Sequence, residues 1–493
     1  MKIMIAFPPL PSEKGVPCLG QNRQFQWFKN PTYIYPVVPA QMATLLQSQG
    51  HKVIWGDGIA KEQSADEYWE IIKNEKPDMI LIESKTPVIK RHWLFINEIK
   101  KTWPKIIVVL YGDHATAEPE ECMKNSKVDY ILTGGNYDFL ASNLVSHITK
   151  KTDLEPGIWL RDKYDMPVST GHFVLNHKLD DLPPIDRDLT EWELYAYKNG
   201  NYKYTPGTYL MSARDCWWGK CTFCSWTTLY PNYRRRSVKS VLDEIGVLIE
   251  KYHVKEIMDD SGSFPIGNWL TEFCKGMIER GYNKKVVMDC NMRFGALKQA
   301  DWDLMAKAGF RFVLFGFESA NQKTLDRINK NIKLADVENG LRMAKKAGLQ
   351  PHITAMIGYP WETRTDAKNT INYAKKMFDK GYVDTLQATI VIPYPGTPLY
   401  KYCKENDLLR FDDYDRFDQR EQVMKSPLTT KDVKELTQEL YKVFMTPKFI
   451  MRKIASIRSW EDVKFLGRAG KKVIGHLTDF GKNKQKCDCE DEK

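Results

Sequence analysis

Apolar and polar positions along this chain fall into two runs of strand–helix alternation, joined by a stretch that shows neither period. In residues 1–150, short apolar runs at Lys2–Phe7, Lys52–Trp55, Met79–Glu83, Ile106–Tyr111 and Tyr130–Thr133 predict strands. Stretches of helical period lie between them, among them 39–49, closed by Gly50, and 65–74, with Trp69 and Ile72 on one side. Such alternation predicts a parallel, doubly wound α/β sheet of flavodoxin or Rossmann type, with ligands at the carboxyl ends of its strands. The loops there (FPPLPSEKG, GDGIA, ESKTP, YGDHATAEP and TGGNYD) are rich in small and polar residues, which suits close approach of a bulky ligand.

Residues 151–204, with the Pro- and Asp-rich LDDLPPIDRDL, read as a linker over the surface. From residue 205 the alternation restarts, with strands expected at Thr208–Ser212, Glu256–Asp259, Val286–Asp289, Phe312–Phe317, His352–Ile357 and Thr385–Ile392. Repeated βα units over 205–408 predict a partial (β/α)6 barrel of TIM type, with its chemistry at the C-terminal strand ends. A helical region is expected over 409–480, entered at Thr429 or Thr430, and a polar, disordered tail over 481–493.

Composition narrows the function. The chain has no run long enough to span a bilayer, and its N-terminal apolar run is too short for a signal peptide. Its cysteines are few and clustered, which argues for a reducing cytoplasm rather than a disulfide framework. The net charge of +10 allows an anionic partner, yet it is not concentrated into a nucleic-acid-binding module, so no nucleic acid is expected. Cys274 and Cys290 read as core; Tyr233–Ser237 (YRRRS) as the solvated start of a helix, with phosphate binding the alternative; and Cys487 and Cys489 as idle thiols of a mobile tail, with soft-metal binding or cluster repair the alternative.

The informative stretch is Ser212–Thr227, SARDCWWGKCTFCSWT. Structural zinc wants four ligands, and no second CxxC or nearby His completes a set. Three thiolates suit a [4Fe-4S] cluster with one iron left open, placed in the mouth of the barrel after its first strand. Buried apolar thiols, or zinc completed by a distant residue, are the alternatives. The tryptophans would wall the group from solvent.

CWWGKCTFCSW resembles the cluster loop of radical S-adenosylmethionine (SAM) enzymes, in the branch with an N-terminal cobalamin-binding domain. Cys216, Cys221 and Cys224 are then the cluster ligands. The family's usual loop is C-x3-C-x2-C; here it is C-x4-C-x2-C, and Gly219 would absorb the extra residue with φ > 0. Phe223 matches the aromatic beside cluster and adenine. MDDSGSF stands where the family often has a Gly-Gly-Glu segment, so Asp259, Asp260 and Ser261 become acceptors for the SAM ammonium. Arg293 would pair with the SAM carboxylate. FGFES resembles G-x-E-S, which gives Glu318 to the ribose or amino group. MIGYPWET resembles G-x-P-x-E-T, in which the backbone of Ile357, Gly358 and Pro360 helps hold adenine.

Toward the N-terminus, YGDHATAEPEE resembles the family's G-G-x-H-A-T-x-x-P-E-E, matching at Gly112, His114 and Thr116. Gly134 and Gly135 in TGGNYD would admit the corrin, with Ser84 and Thr86 as polar contacts. The mutase-type D-x-H-x-x-G signature is absent after the first strand, so the resemblance implies cobalamin with no His ligand to cobalt. The alternatives are a His beside a helix N-terminus and a domain that no longer binds cobalamin.

The resemblance implies reductive cleavage of SAM to a 5′-deoxyadenosyl radical and attack on an unactivated carbon, most often ending in C-methylation. Some relatives oxidise, cyclise or contract rings instead, and a non-catalytic cobalamin or redox sensor is the rival class. The implied partners are a small-molecule or lipid-like substrate and an electron donor such as flavodoxin or ferredoxin. The basic, apolar-interleaved region after residue 447 reads as a helical cap with a solvated face, or else as a peripheral membrane contact.

Overall fold

The computed structural model describes residues 1–18 and 25–479; the expected tail 481–493, with Cys487 and Cys489, lies outside the described residues. Strands β1 (Lys2–Phe7), β2 (Lys52–Asp57), β3 (Met79–Glu83), β4 (Ile107–Tyr111) and β5 (Tyr130–Leu132) form a parallel sheet in the order β2-β1-β3-β4-β5. This is the flavodoxin-like order, reversing direction between β1 and β3. Alternate residues serve opposite faces. Ile3, Ile5 and Phe7 pack in one core with Val38, Met42 and Leu144, whereas Met4 and Ala6 join Ile72 and Ile96 in the other. Both faces are thus covered, which is why the strands read as continuous apolar runs.

The sheet extends into the stretch expected to be a linker. β6 (Ile158–Arg161) and β7 (Pro167–Ser169) add antiparallel at the β5 edge. Their turn is held by Asp162, whose Oδ1 accepts from the amides of Tyr164 (2.8 Å) and Met166 (2.9 Å). These strands are short and mostly half-buried, so they carry little apolar periodicity.

The second sheet comprises β8 (Gly207–Leu210), β9 (Glu256–Asp259), β10 (Val287–Met292), β11 (Phe310–Glu318), β12 (Gln350–Ile357) and β13 (Thr385–Ile390). All pair parallel in chain order, and β8 does not pair with β13, so the sheet is an open half-barrel. The carboxyl ends of the two sheets face each other. Gly135 N donates to Leu229 O at 2.8 Å, and Arg214 forms a buried ion pair with Asp138. Ala115, beyond β4, shares a core with Ile392 and Tyr394, beyond β13.

The YRRRS stretch leads into a helix as expected, with Ser237 capping Val238–Glu250, but its arginines are mostly engaged by other groups. Arg234 donates to Asn136 Oδ1 (2.6 Å) and the His177 carbonyl (3.1 Å), and Arg236 pairs with Glu244; Arg235 alone of the three is exposed. Cys274 and Cys290 lie in the core, as expected. Beyond the barrel, Thr429 caps helix Thr430–Tyr441 in a reciprocal pair with Asp432, and the chain turns before Pro447. Helix Pro447–Ala455 buries no residue. Arg452 donates to the carbonyl of Asp379 (2.9 Å) and Lys453 pairs with Asp384 (2.7 Å), while Ile450, Met451 and Ile454 are exposed. Among the described residues, no helix is long and apolar enough to cross a membrane.

Candidate active site

The cysteine loop leaves the end of β8 and is fastened at once to the end of β9. Ser212 N donates to Asp259 Oδ2 (3.1 Å), and Ala213 N donates to Ser261 Oγ (2.8 Å). Ala213–Arg214 then pairs antiparallel with Arg234–Arg235. The loop turns through two left-handed residues, Asp215 (φ 75°) and Gly219 (φ 59°). Gly219 thus has the positive φ that the sequence predicts. Cys216, Cys221 and Cys224 line one cavity of ≈ 1380 Å³, counting space open at its mouth. Trp217 and Trp218 hold the Arg293 guanidinium over their rings, at 5.4 and 5.1 Å, and Trp218 Nε1 donates to Asn329 O at 2.7 Å.

Of the residues expected around SAM, Phe223, Asp260, Arg293 and Glu318 line this cavity. Asp259 and Ser261 do not; their acceptors are engaged by the amides that anchor the loop, and Ser261 N also donates to Asp259 Oδ1 (2.9 Å). Ser263 takes their place at the wall, with the Cys216 thiol donating to its hydroxyl at 3.3 Å. The segment after β12 also departs from expectation. Ile357 O accepts from Val391 N (3.0 Å), and Gly358 N donates to Glu362 Oε2 (2.6 Å), so both groups are spent internally. Ile357, Gly358 and Pro360 stand off the cavity, and Thr354 and Met356, within the strand, face it.

Glu318 ends β11 at a bulge, with φ 63°. The bulge re-aims its carboxylate into the cavity. There Oε1 accepts from Lys330 Nζ (2.8 Å) and Oε2 from Thr354 Oγ1 (3.2 Å). A Cβ at Gly316 would meet the ends of both side chains of the Lys330–Glu318 pair and displace them. Lys330, absent from the sequence-based set, comes from the turn after helix Gln322–Arg327, where no local pattern marks it. Arg293 Nη2 donates to its carbonyl, and Arg293 Nη1 lies 3.9 Å from Cys221 Sγ. Burial pushes the Cys221 thiol above its ordinary pKa, against the pull of the Lys330 and Arg293 charges. Burial pulls the Lys330 ammonium down, but Glu318 and Cys221 outweigh it, and its pKa is raised.

The residues expected to touch cobalamin are mostly spent on one another. Ser84 Oγ bonds His92 Nδ1 (2.7 Å), and Thr86 Oγ1 bonds His114 Nδ1 (3.1 Å). His114 is fully buried beside Glu121 and Tyr414, so it is neither a surface residue nor a cavity group. Thr116 Oγ1 donates to Gly112 O (2.7 Å) and accepts from Gly134 N (3.0 Å), while Gly135 lies against Tyr230. These contacts shape the loops. Ile34, Ile392, Tyr394 and Gln419 also line the cavity.

The donor set fits an iron–sulfur cluster. Among the described residues, no three His, Cys, Asp or Glu side chains converge to hold a single metal ion. A cluster asks less, because its thiolates bind separate irons, and the cationic pair beside Cys221 favours the thiolate form. The lining residues Ile34, Ile392, Tyr394 and Gln419 are uncharged, and no histidine lines the cavity among the described residues, which suits the face of a corrin.

Residues 212–374 match the family model of the radical SAM superfamily, which spans the cysteine loop and most of the half-barrel. That segment is a radical SAM domain. It is 26% identical over 478 residues to an uncharacterised methyltransferase of Pyrococcus horikoshii, covering 92% of this chain and 95% of the relative. It is also 26% identical to the anaerobic magnesium-protoporphyrin IX monomethyl ester cyclase of Rubrivivax gelatinosus, covering 79% and 70%. Its fold is similar to that of the radical SAM methyltransferase TsrM from Kitasatospora setae, solved with cobalamin and a [4Fe-4S] cluster bound. The TM-score is 0.69 at 13% identity, over 96% of this chain and 99% of that one.

Proposed function

We propose that this radical SAM protein is a cobalamin-dependent enzyme that modifies an unactivated carbon, by C-methylation in the first instance. The observation that carries the reading is one cavity holding Cys216, Cys221, Cys224, Asp260, Arg293 and Glu318, at the mouth of a half-barrel faced by a flavodoxin-like sheet. When bound, the cluster and SAM supply one-electron cleavage of the sulfonium and hydrogen abstraction, and cobalamin supplies a transferable methyl group. The chain's own residues do the rest. The three cysteines hold the cluster. Asp260 and Ser263 offer acceptors to the methionine ammonium, Arg293 pairs with its carboxylate, and Glu318 meets the ribose or amino group. Phe223 lies beside the adenine, and Trp217 and Trp218 exclude water. Ile34, Ile392, Tyr394 and Gln419 form the wall against which cobalamin would lie.

The Pyrococcus relative, matched over nearly its full length, supports methyl transfer. The cyclase relative supports a second reading, ring formation or oxidation with no methyl transferred. A small-molecule or lipid-like substrate, a one-electron donor of flavodoxin or ferredoxin type, a cytoplasmic location and contact with an anionic membrane surface complete the proposal.

The test uses anaerobic protein reconstituted with iron, sulfide and cobalamin, given SAM and reductant. 5′-Deoxyadenosine and S-adenosylhomocysteine are then quantified by mass spectrometry. Methyl transfer predicts both products, and the second reading predicts deoxyadenosine alone. Cys221→Ala should lose SAM cleavage to below detection while keeping its far-UV circular dichroism. Cleavage at the wild-type rate in that variant would sink the cluster assignment.

A further inference from the structure

Lys330 is a buried ammonium, 8% exposed, on the cavity wall. Burying a charge costs several kcal/mol unless it is paired, and here its position is fixed from two directions. Its backbone segment is stitched to the cysteine loop: Thr222 N donates to Ile328 O (3.0 Å), Trp218 Nε1 to Asn329 O (2.7 Å), and Arg293 to the Lys330 carbonyl. Its side chain reaches Glu318 at 2.8 Å, in the space kept open by Gly316, and lies 5.7 Å from the Phe223 ring. Lys330, Glu318 and Cys221 line the same cavity, and Arg293, which bonds the Lys330 carbonyl, lies 3.9 Å from Cys221 Sγ.

Resting on the cluster reading above, we infer that Lys330 and Glu318 form a built-in charge pair that sets the reduction potential of the cluster held by Cys221. Lys330 raises the potential and Glu318 lowers it. The step concerned is the transfer of one electron from an external low-potential donor, with no bond made or broken. It adds one negative charge beside Cys221, which a nearby cation favours and a nearby anion opposes. Lys330 and Glu318 act here as positioning and electrostatic residues, and the sulfurs remain the only ligands.

The test is an anaerobic redox titration of the reconstituted protein, following the electron paramagnetic resonance of the reduced cluster without SAM or substrate. Lys330→Met should lower the reduced-to-oxidised ratio at fixed potential roughly tenfold, about 59 mV toward negative values for a one-electron couple. Glu318→Gln should shift the potential in the opposite direction. Lys330→Arg should stay near wild type, and the double variant should fall between the two single ones. A packing defect would not give opposite signs for the two neutralisations. Single variants that move together, or not at all, would overturn the inference. A wild-type protein that assembles no cluster would overturn the function proposed above as well.

Discussion

Glu362 sits buried at the turn after β12, with one oxygen held by the Gly358 amide, and burial pushes its carboxyl up to about 8. The folded state therefore keeps a proton that the unfolded chain has lost above the ordinary glutamate range. This group's contribution to stability is largest at low pH and falls as pH rises from about 4.5 to 8, by up to about 1.4 kcal/mol per pH unit. Glu83, at about 7, and Asp57, at about 6, are raised by burial in the same direction. The melting temperature should decline as pH rises toward 8, and Glu362→Gln should reduce the slope throughout, leaving little of it between pH 7 and 8, where Glu83 and Asp57 contribute least. An unchanged slope in the variant would show that Glu362 is ionised throughout. At this scale, identity was legible and environment was not. The three cysteines declare themselves by proximity in the chain. Lys330 does not, because its partners Glu318 and Cys221 stand on other elements.

Among the elements, the junction between the end of the first sheet and the cysteine loop depends on the buried Arg214–Asp138 pair. Removing one partner of such a pair leaves a buried charge, which typically costs about 3–5 kcal/mol. Asp138→Ala should lose stability of that order in chemical denaturation, and Asp138→Asn, which keeps an acceptor, should lose less. A loss below about 1 kcal/mol would mean that water reaches Arg214. The parallel strands were legible because both of their faces are buried, which forces unbroken apolar runs. β6 and β7 were not, being short strands of four and three residues at the margin of the sheet, with only one buried position between them. The YRRRS run misled for a related reason: arginines in sequence look solvated, and only folding brings Asn136, His177 and Glu244 to them.

Across the whole molecule, helix Pro447–Ala455 lies at the amino-terminal end of the half-barrel strands, where Lys453 meets Asp384 just before β13. Phe449, Arg452 and Lys453 face the body; Ile450, Met451 and Ile454 point away, flanked by exposed Lys448 and Arg458. An apolar stripe with a basic rim suits an anionic lipid surface. The protein should co-sediment with phosphatidylglycerol vesicles and not with phosphatidylcholine vesicles, and Ile450→Glu/Ile454→Glu should abolish the binding. Equal recovery with both lipids would refute the contact. Bound this way, the cavity mouth would lie at the far end of the barrel from the lipid. The sequence by itself determined the two sheet types, the order of their strands along the chain, the three thiols and the left-handed Gly219, because these depend on period, spacing and local backbone freedom. Only the tertiary structure decided which carboxylates reach the cavity, which glycine amides are already spent, and that Lys330 stands beside Cys221. Those outcomes depend on which distant groups satisfy each buried charge and backbone amide, and that competition exists only once the chain has closed on itself.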